Sequence, residues 1–192
     1  MNELFELCEK TAVSGHEFEL SRFVENKFSK FCDETEIDAL GNVIGVINKG
    51  KTFKIMIEAH LDEIGLMVKN IDDKGFIKFV EIGGIDSSTL PGAEVTIHGK
   101  KDILGVIGAK PPHLQTKEGS EKPYKIEDLF IDTGYSYDEI IKFISIGDVI
   151  SFISKPIALK NGYFCSKSID NRMGVYVVGE CLKRLKNKNI DA

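Results

Sequence analysis

The chain has 192 residues, of which 42% are hydrophobic and 29% are charged, and its formal net charge is −5. This length and composition are typical of one ordinary globular domain, or of a domain that carries a modest insertion. The acidic balance gives no basic surface for nucleic acid, and no apolar run reaches the roughly 20 residues of a membrane-spanning helix. Because the N-terminus also lacks the cationic region of a signal peptide, we expect a cytoplasmic protein without nucleic-acid or membrane partners.

The first third of the chain predicts two helices followed by four strands. Apolar residues recur at helical spacing between Glu3 and Phe31, and Ser14 with Glu17 fits a capping box for the second helix. Residues 34–47 alternate around a turn and predict a β-hairpin. Largely apolar runs then predict one strand at 54–59 and another at 64–70.

The character of the chain changes at about residue 71. Short β-like runs, separated by Gly and Pro, continue to about residue 162 and predict a small barrel or sandwich inserted into an α/β host. Residues 111–123 are polar and proline-bearing and predict an exposed loop. A final helix begins near residue 169. The expected organisation is therefore host (1–70), inserted β-domain (71–162) and host again (163–192).

The pair His60 and Asp62 is the first candidate for function. Side chains two apart on a strand share a face, so an imidazole and a carboxylate project together from the end of the apolar run. The edge where strands end is the usual binding crevice of an open α/β sheet. A neutral imidazole binds zinc or cobalt well, and a neighbouring carboxylate can fix its tautomer. The pair alone is also compatible with a structural histidine and a turn aspartate.

Asp170, at the start of the last helix, is the second candidate. By position alone it fits a residue that caps the helix N-terminus. The strings Ala59-His-Leu-Asp-Glu-Ile-Gly65 and Ser166-Lys-Ser-Ile-Asp-Asn-Arg-Met-Gly174 together resemble the dinuclear metallo-aminopeptidases of the glutamyl and tetrahedral aminopeptidase family, some members of which carry older endoglucanase or cellulase labels. Further landmarks of this family follow in order at Ser14–Glu17, Asp38–Asn42, Gly83–Ile85, Gly105–Gly108, Pro111–His113 and Glu127–Asp132.

This resemblance implies an α/β/α metallopeptidase catalytic domain, interrupted by a small inserted β-barrel, PDZ-like domain that assembles homo-oligomers. It implies a hydrolase that removes N-terminal residues from peptides with two divalent metal ions, zinc or cobalt. His60 is then the imidazole ligand of one metal, and Asp170 is the carboxylate that bridges both. Asp62 takes a catalytic role by orienting His60 and shaping the site. Lys167 and Arg172, which flank Asp170, are expected to make structural ion pairs or to hold its loop.

The sequence departs from the family pattern after Asp170. The family places two adjacent glutamates, then an aspartate and a histidine, further along the chain, whereas only 22 residues (192 − 170) remain here. The resemblance thus covers roughly the N-terminal half of the family. It implies an incomplete catalytic domain that lacks the C-terminal part of its site and is inactive alone. The alternatives are a non-catalytic fragment or assembly module and, from the older labels, an endo-1,4-glucanase, which the lack of Trp makes less attractive.

Overall fold

A computed structural model describes residues 2–109, 124–186 and 188 of the chain. The predicted loop at 111–123, which contains His113, lies outside the described residues. Two compact units are present: Met1–Glu63 with Ser154–Ala192, and Ile64–Ile153. In this division, residues 64–70 group with the second unit through the strand that starts at Gly65, and residues 154–162 group with the first.

Four α-helices and ten strands make up most of the regular structure of the described residues, together with short 3-10 turns at Ser87–Thr89, Ile126–Asp128 and Lys160–Gly162. In chain order the α-helices and strands are α1 (Asn2–Glu9), α2 (Phe18–Phe28), β1 (Glu34–Ile37), β2 (Val43–Val46), β3 (Gly65–Ile71), β4 (Ile77–Ile82), β5 (Glu94–His98), β6 (Asp102–Gly108), β7 (Phe130–Asp132), α3 (Tyr137–Ile140), β8 (Val149–Phe152), β9 (Ile157–Ala158), β10 (Phe164–Cys165) and α4 (Ile169–Leu185). Within the described ranges, no helix combines the length and the apolar character that crossing a membrane requires.

The second unit is a closed barrel of six antiparallel strands. Their order around the barrel is β3-β4-β7-β6-β5-β8. Alternate residues of β6 point inward, so that Ile103 and Ile107 are buried while Leu104 and Val106 are exposed. Leu66 and Val68 of β3 complete the same aliphatic core. The prediction of a small barrel from short, closely spaced strands is confirmed.

The first unit has its own core between α1, α2 and α4. This core is formed by Leu7, Ala12, Leu20, Val24, Phe28, Phe31 and Val175. The two N-terminal helices, the β1–β2 hairpin and the final helix are present as predicted. All four cysteines are free thiols.

Two local predictions in this unit are wrong. Residues 54–59 form no strand: nothing within the described ranges pairs with them, and apolar side chains such as Ile55 and Met56 are exposed. Apolar content favours a strand, but a strand exists only where a neighbour supplies its hydrogen bonds. The Ser14–Glu17 capping box is also absent, because α2 begins after Glu17 and the Ser14 hydroxyl bonds elsewhere.

Candidate functional site

The fold of the first unit brings His60, Asp62 and Asp170 together. His60 Nδ1 lies 3.0 Å from Asp62 Oδ1, and His60 Nε2 lies 3.0 Å from Asp170 Oδ1. The imidazole therefore sits between two carboxylates from segments 110 residues apart. The side chains of His60 and Asp170 are 53% and 94% exposed, so a solvent-borne ligand can reach both.

The electrostatics of this group favour one orientation of the imidazole. The hydrogen bond from Ser14 is the main cause that lowers the pKa of Asp62. Partial burial opposes this effect, but His60 lowers the pKa further, so Asp62 stays a carboxylate. Partial burial works to lower the pKa of His60, but hydrogen bonds and charges from Asp170 and Asp62 outweigh it and raise this pKa. Because the Asp62 carboxylate is a fixed acceptor beside Nδ1, the Nδ1–H of His60 points to Asp62 and Nε2 faces Asp170.

Asp62 owes its position to a short parallel pairing between two chain segments. Val13 pairs with Glu63, whose N–H donates to Ala12 O at 2.8 Å and whose carbonyl accepts from Ser14 N–H at 3.3 Å. This pairing places Ser14 beside Asp62, where the Ser14 hydroxyl donates a hydrogen bond to Asp62 Oδ2. Ser14 thus helps fix the carboxylate that orients His60.

Asp170 lies where α4 departs from regular helix geometry. The backbone at Asp170 and Asn171 is non-helical, and Asn171 Oδ1 accepts from Gly174 N–H at 2.9 Å. Asn171 therefore satisfies a helix N–H, and the Asp170 side chain is directed to His60 instead. The lack of a side chain at Gly174 leaves room for the Asn171 contact, since a Cβ there would lie 2.2 Å from Asn171 Oδ1 and would displace it.

Lys167 and Arg172 anchor the chain on either side of Asp170. Lys167 Nζ forms an ion pair with Glu63 at 2.6 Å, as predicted. Arg172 is fully buried and donates through Nη1 to Leu7 O at 2.6 Å and to Lys10 O at 3.2 Å. Both side chains thus tie the start of α4 to other parts of the first unit, so the expectation that they hold this loop is confirmed.

A second histidine makes a similar pattern in the barrel. His98 Nδ1 lies 2.9 Å from Asp102 Oδ1, and its Nε2 lies 2.8 Å from Ser151 Oγ. These three residue types also occur in catalytic triads, but Ser151 is only 2% exposed, so a substrate cannot approach it. We interpret His98 as a hydrogen-bonded structural residue. His16 lies on the surface.

The residues at His60 fit part of a metal site. Zinc lies about 2.0–2.1 Å from imidazole nitrogen and about 2.0–2.2 Å from carboxylate oxygen. The 3.0 Å between His60 Nε2 and Asp170 Oδ1 is compatible with both atoms contacting one ion. The described residues contain no group of three or more His, Cys, Asp or Glu side chains that could hold a metal. Within this part of the chain, His60 and Asp170 offer one imidazole nitrogen and one carboxylate, which are donor types that zinc accepts.

Comparison with known proteins identifies the family. The model of the M42 glutamyl aminopeptidase family matches residues 41–192. The lysyl aminopeptidase of Pyrococcus furiosus is 32% identical over 191 residues, which cover 96% of this chain and 55% of that protein. This chain thus spans about half the length of such relatives.

Solved structures agree over nearly the whole chain. The TET aminopeptidase of the marine sediment archaeon Thaumarchaeota archaeon SCGC AB-539-E09 has a TM-score of 0.91 and 30% identity, covering 98% of this chain and 55% of that one. The TET1 peptidase of Pyrococcus horikoshii, which can assemble into a tetrahedron or a large octahedral shell, has a TM-score of 0.86 and 31% identity, covering 97% and 56%. Sequence and structure therefore lead to one conclusion: the chain belongs to the M42 glutamyl aminopeptidase family.

Proposed function

We propose that this chain carries one part of the active site of a metal-dependent aminopeptidase that removes N-terminal residues from peptides. The observation that carries the proposal is the His60 imidazole held between Asp62 and Asp170. Membership of an aminopeptidase family supports the reaction class. Two divalent ions, zinc or cobalt, would polarise the scissile carbonyl and bind the substrate amine.

Each residue of the group has a distinct proposed role. Asp62 accepts a hydrogen bond from the Nδ1–H of His60 and leaves Nε2 available as a metal ligand, a role that carboxylates commonly play beside ligating histidines. Asp170 offers two oxygens and can bridge two ions, which an imidazole cannot do. Ser14 holds the Asp62 carboxylate in place and supports its charge.

The remaining ligands and the general base are proposed to come from polypeptide outside this sequence. Two protein ligands are too few for two-metal catalysis. The relatives in which the reaction is named are about twice as long as the matched region, since the match covers 55% of the P. furiosus enzyme. We therefore expect the 192-residue chain alone to be inactive.

We also propose that the barrel assembles copies of the chain into a homo-oligomer. The barrel unit has its own buried core, and the similar P. horikoshii peptidase forms multi-subunit shells. A purely non-catalytic assembly module is less well supported, because it leaves the His60 group without a role. Glycan hydrolysis is also less well supported, because a sugar cleft needs stacking groups and the chain has no Trp.

The reaction can be tested in a chimera that joins this chain to the C-terminal part of the P. furiosus lysyl aminopeptidase, hereafter the chimera. We expect it to release N-terminal residues from peptides, to lose this activity on chelation and to regain it with zinc or cobalt. N-acetylated peptides, which lack the free amine, and cello-oligosaccharides serve as control substrates and should remain intact. Peptide cleavage that survives chelation, or that proceeds equally on N-acetylated peptides, would contradict the proposal.

A further inference from the structure

The Glu63 side chain is a buried carboxylate next to the candidate site, and it has no role in the proposed chemistry. Only 7% of the residue is exposed. A buried carboxylate is costly unless its charge is paired and its oxygens accept hydrogen bonds. Glu63 meets both conditions, so its partners show which parts of the chain it holds together.

Each oxygen of the Glu63 carboxylate accepts two hydrogen bonds. Oε1 accepts from Ala12 N–H at 3.0 Å and from Lys167 Nζ at 2.8 Å. Oε2 accepts from Lys167 Nζ at 2.6 Å and from the Ser168 hydroxyl. One carboxylate therefore connects the segment after α1, its own segment and the segment that leads into α4.

Every one of these segments carries a residue of the candidate site. Glu63 directly follows Asp62, and Ala12 lies two residues before Ser14. Lys167 and Ser168 closely precede Asp170, which reaches back to His60 across 110 residues. The direct contact between His60 and Asp170 holds this separation only weakly, because the two side chains are 53% and 94% exposed. The buried contacts of Glu63 constrain the same segments more strongly.

We propose that Glu63 is a positioning residue that sets the separation of His60 and Asp170 by clamping the segments that carry them. Glu63 itself contacts neither substrate nor metal and acts through Lys167, Ser168 and Ala12. This inference rests on the proposed function. The separation of His60 and Asp170 matters because both side chains would contact one metal ion.

The test uses the metal-free 192-residue chain labelled with 15N at its histidine rings. Glu63→Gln keeps the size of the side chain but removes the charge that Lys167 faces, and it points an amide N–H₂ at other donors. We expect the His60 ring nitrogen signals to move at a fixed pH, while those of His98 stay in place. Glu3→Gln is the matched control, because it removes a carboxylate that pairs with Lys183 at 2.9 Å, and it should leave His60 unchanged.

A milder variant keeps the test decisive if Glu63→Gln fails to fold. Ser168→Gly removes one hydroxyl that donates to Glu63, and its backbone, at φ of 59°, suits glycine. We expect a smaller movement of the His60 signals in this variant. A contribution of Glu63 to folding alone would lower stability without moving these signals in the folded chain. His60 signals that coincide with those of the unaltered chain in the folded variants would overturn the proposal.

A cobalt titration separates this inference from the proposed function. If the unaltered chain binds cobalt, we expect Glu63→Gln to weaken its affinity by about tenfold or more, as for other groups that support metal ligands. An unchanged affinity would overturn the inference. If the unaltered chain and the chimera bind no metal, the proposed function fails, and the His60 ring signals still decide whether Glu63 positions the pair.

Discussion

The His60→Ala variant of the chimera is expected to lose at least about a hundredfold in both cobalt affinity and peptide hydrolysis. Removing a group that merely supports a metal ligand typically costs 10–100-fold, so removing the ligand itself should cost at least as much. His60 is also the only imidazole that the fold places against Asp170 in the described residues. Isothermal titration with cobalt and initial rates on a dipeptide amide measure the two effects.

Two further variants make this result specific. His16→Ala removes an imidazole on the surface of the same unit and should change neither quantity. Asp62→Asn should give an intermediate loss of about tenfold, because the amide keeps an oxygen near His60 Nδ1 but loses the charge. Full activity of His60→Ala, or an equal loss in His16→Ala, would exclude His60 as the ligand.

The Arg172→Met variant is expected to destabilise the first unit by about 3 kcal/mol. Arg172 is fully buried, and its Nη1 donates to Leu7 O and Lys10 O. Hydrogen bonds from a charged group each contribute about 1.5–3 kcal/mol, and methionine leaves both carbonyls without this donor. Relief from burying the charge offsets part of the loss, since Nε and Nη2 have no partner among the described residues.

Amide hydrogen exchange localises this effect. Protection should fall in α1 and α4 and persist at barrel residues such as Ile97 and Ile107, which belong to a separate core. Arg22→Met applies the same substitution to an exposed arginine of α2 and should change stability by less than about 0.5 kcal/mol. If Arg172→Met matches Arg22→Met in urea unfolding, the anchoring role of Arg172 is wrong.

The sequence predicts those parts of the fold whose signal is local. Apolar residues at helical spacing predict α1 and α2, and short runs between Gly and Pro predict a small barrel, because each pattern reflects its own element. Residues 54–59 show the limit of this reasoning. Their composition favours a strand, but the neighbour that would complete its hydrogen bonds is not among the described residues.

Some contacts of the candidate site also follow from local sequence, whereas others join residues that lie far apart in the chain. His60 and Asp62 contact each other as expected, but residues 54–62 form no strand, so their closeness follows from a separation of two residues and not from a shared strand face. The approach of Asp170 was expected only from the family resemblance, since nothing local joins residues 110 apart. No local pattern marks Glu63, because its burial depends on an ion pair with Lys167, 104 residues later in the chain. The sequence pattern predicts Ser14 as a helix cap, but its hydroxyl donates to Asp62, because a short polar side chain suits both uses.

The most direct test of the proposed metal site is the position of the metal itself. Anomalous diffraction at the zinc or cobalt edge, from crystals of the chimera, locates the ions without reliance on activity. We predict one ion within about 2.0–2.2 Å of both His60 Nε2 and an Asp170 oxygen, and a second ion at the other Asp170 oxygen. Metal bound at full occupancy away from both residues would contradict the assignment of His60 and Asp170 as ligands.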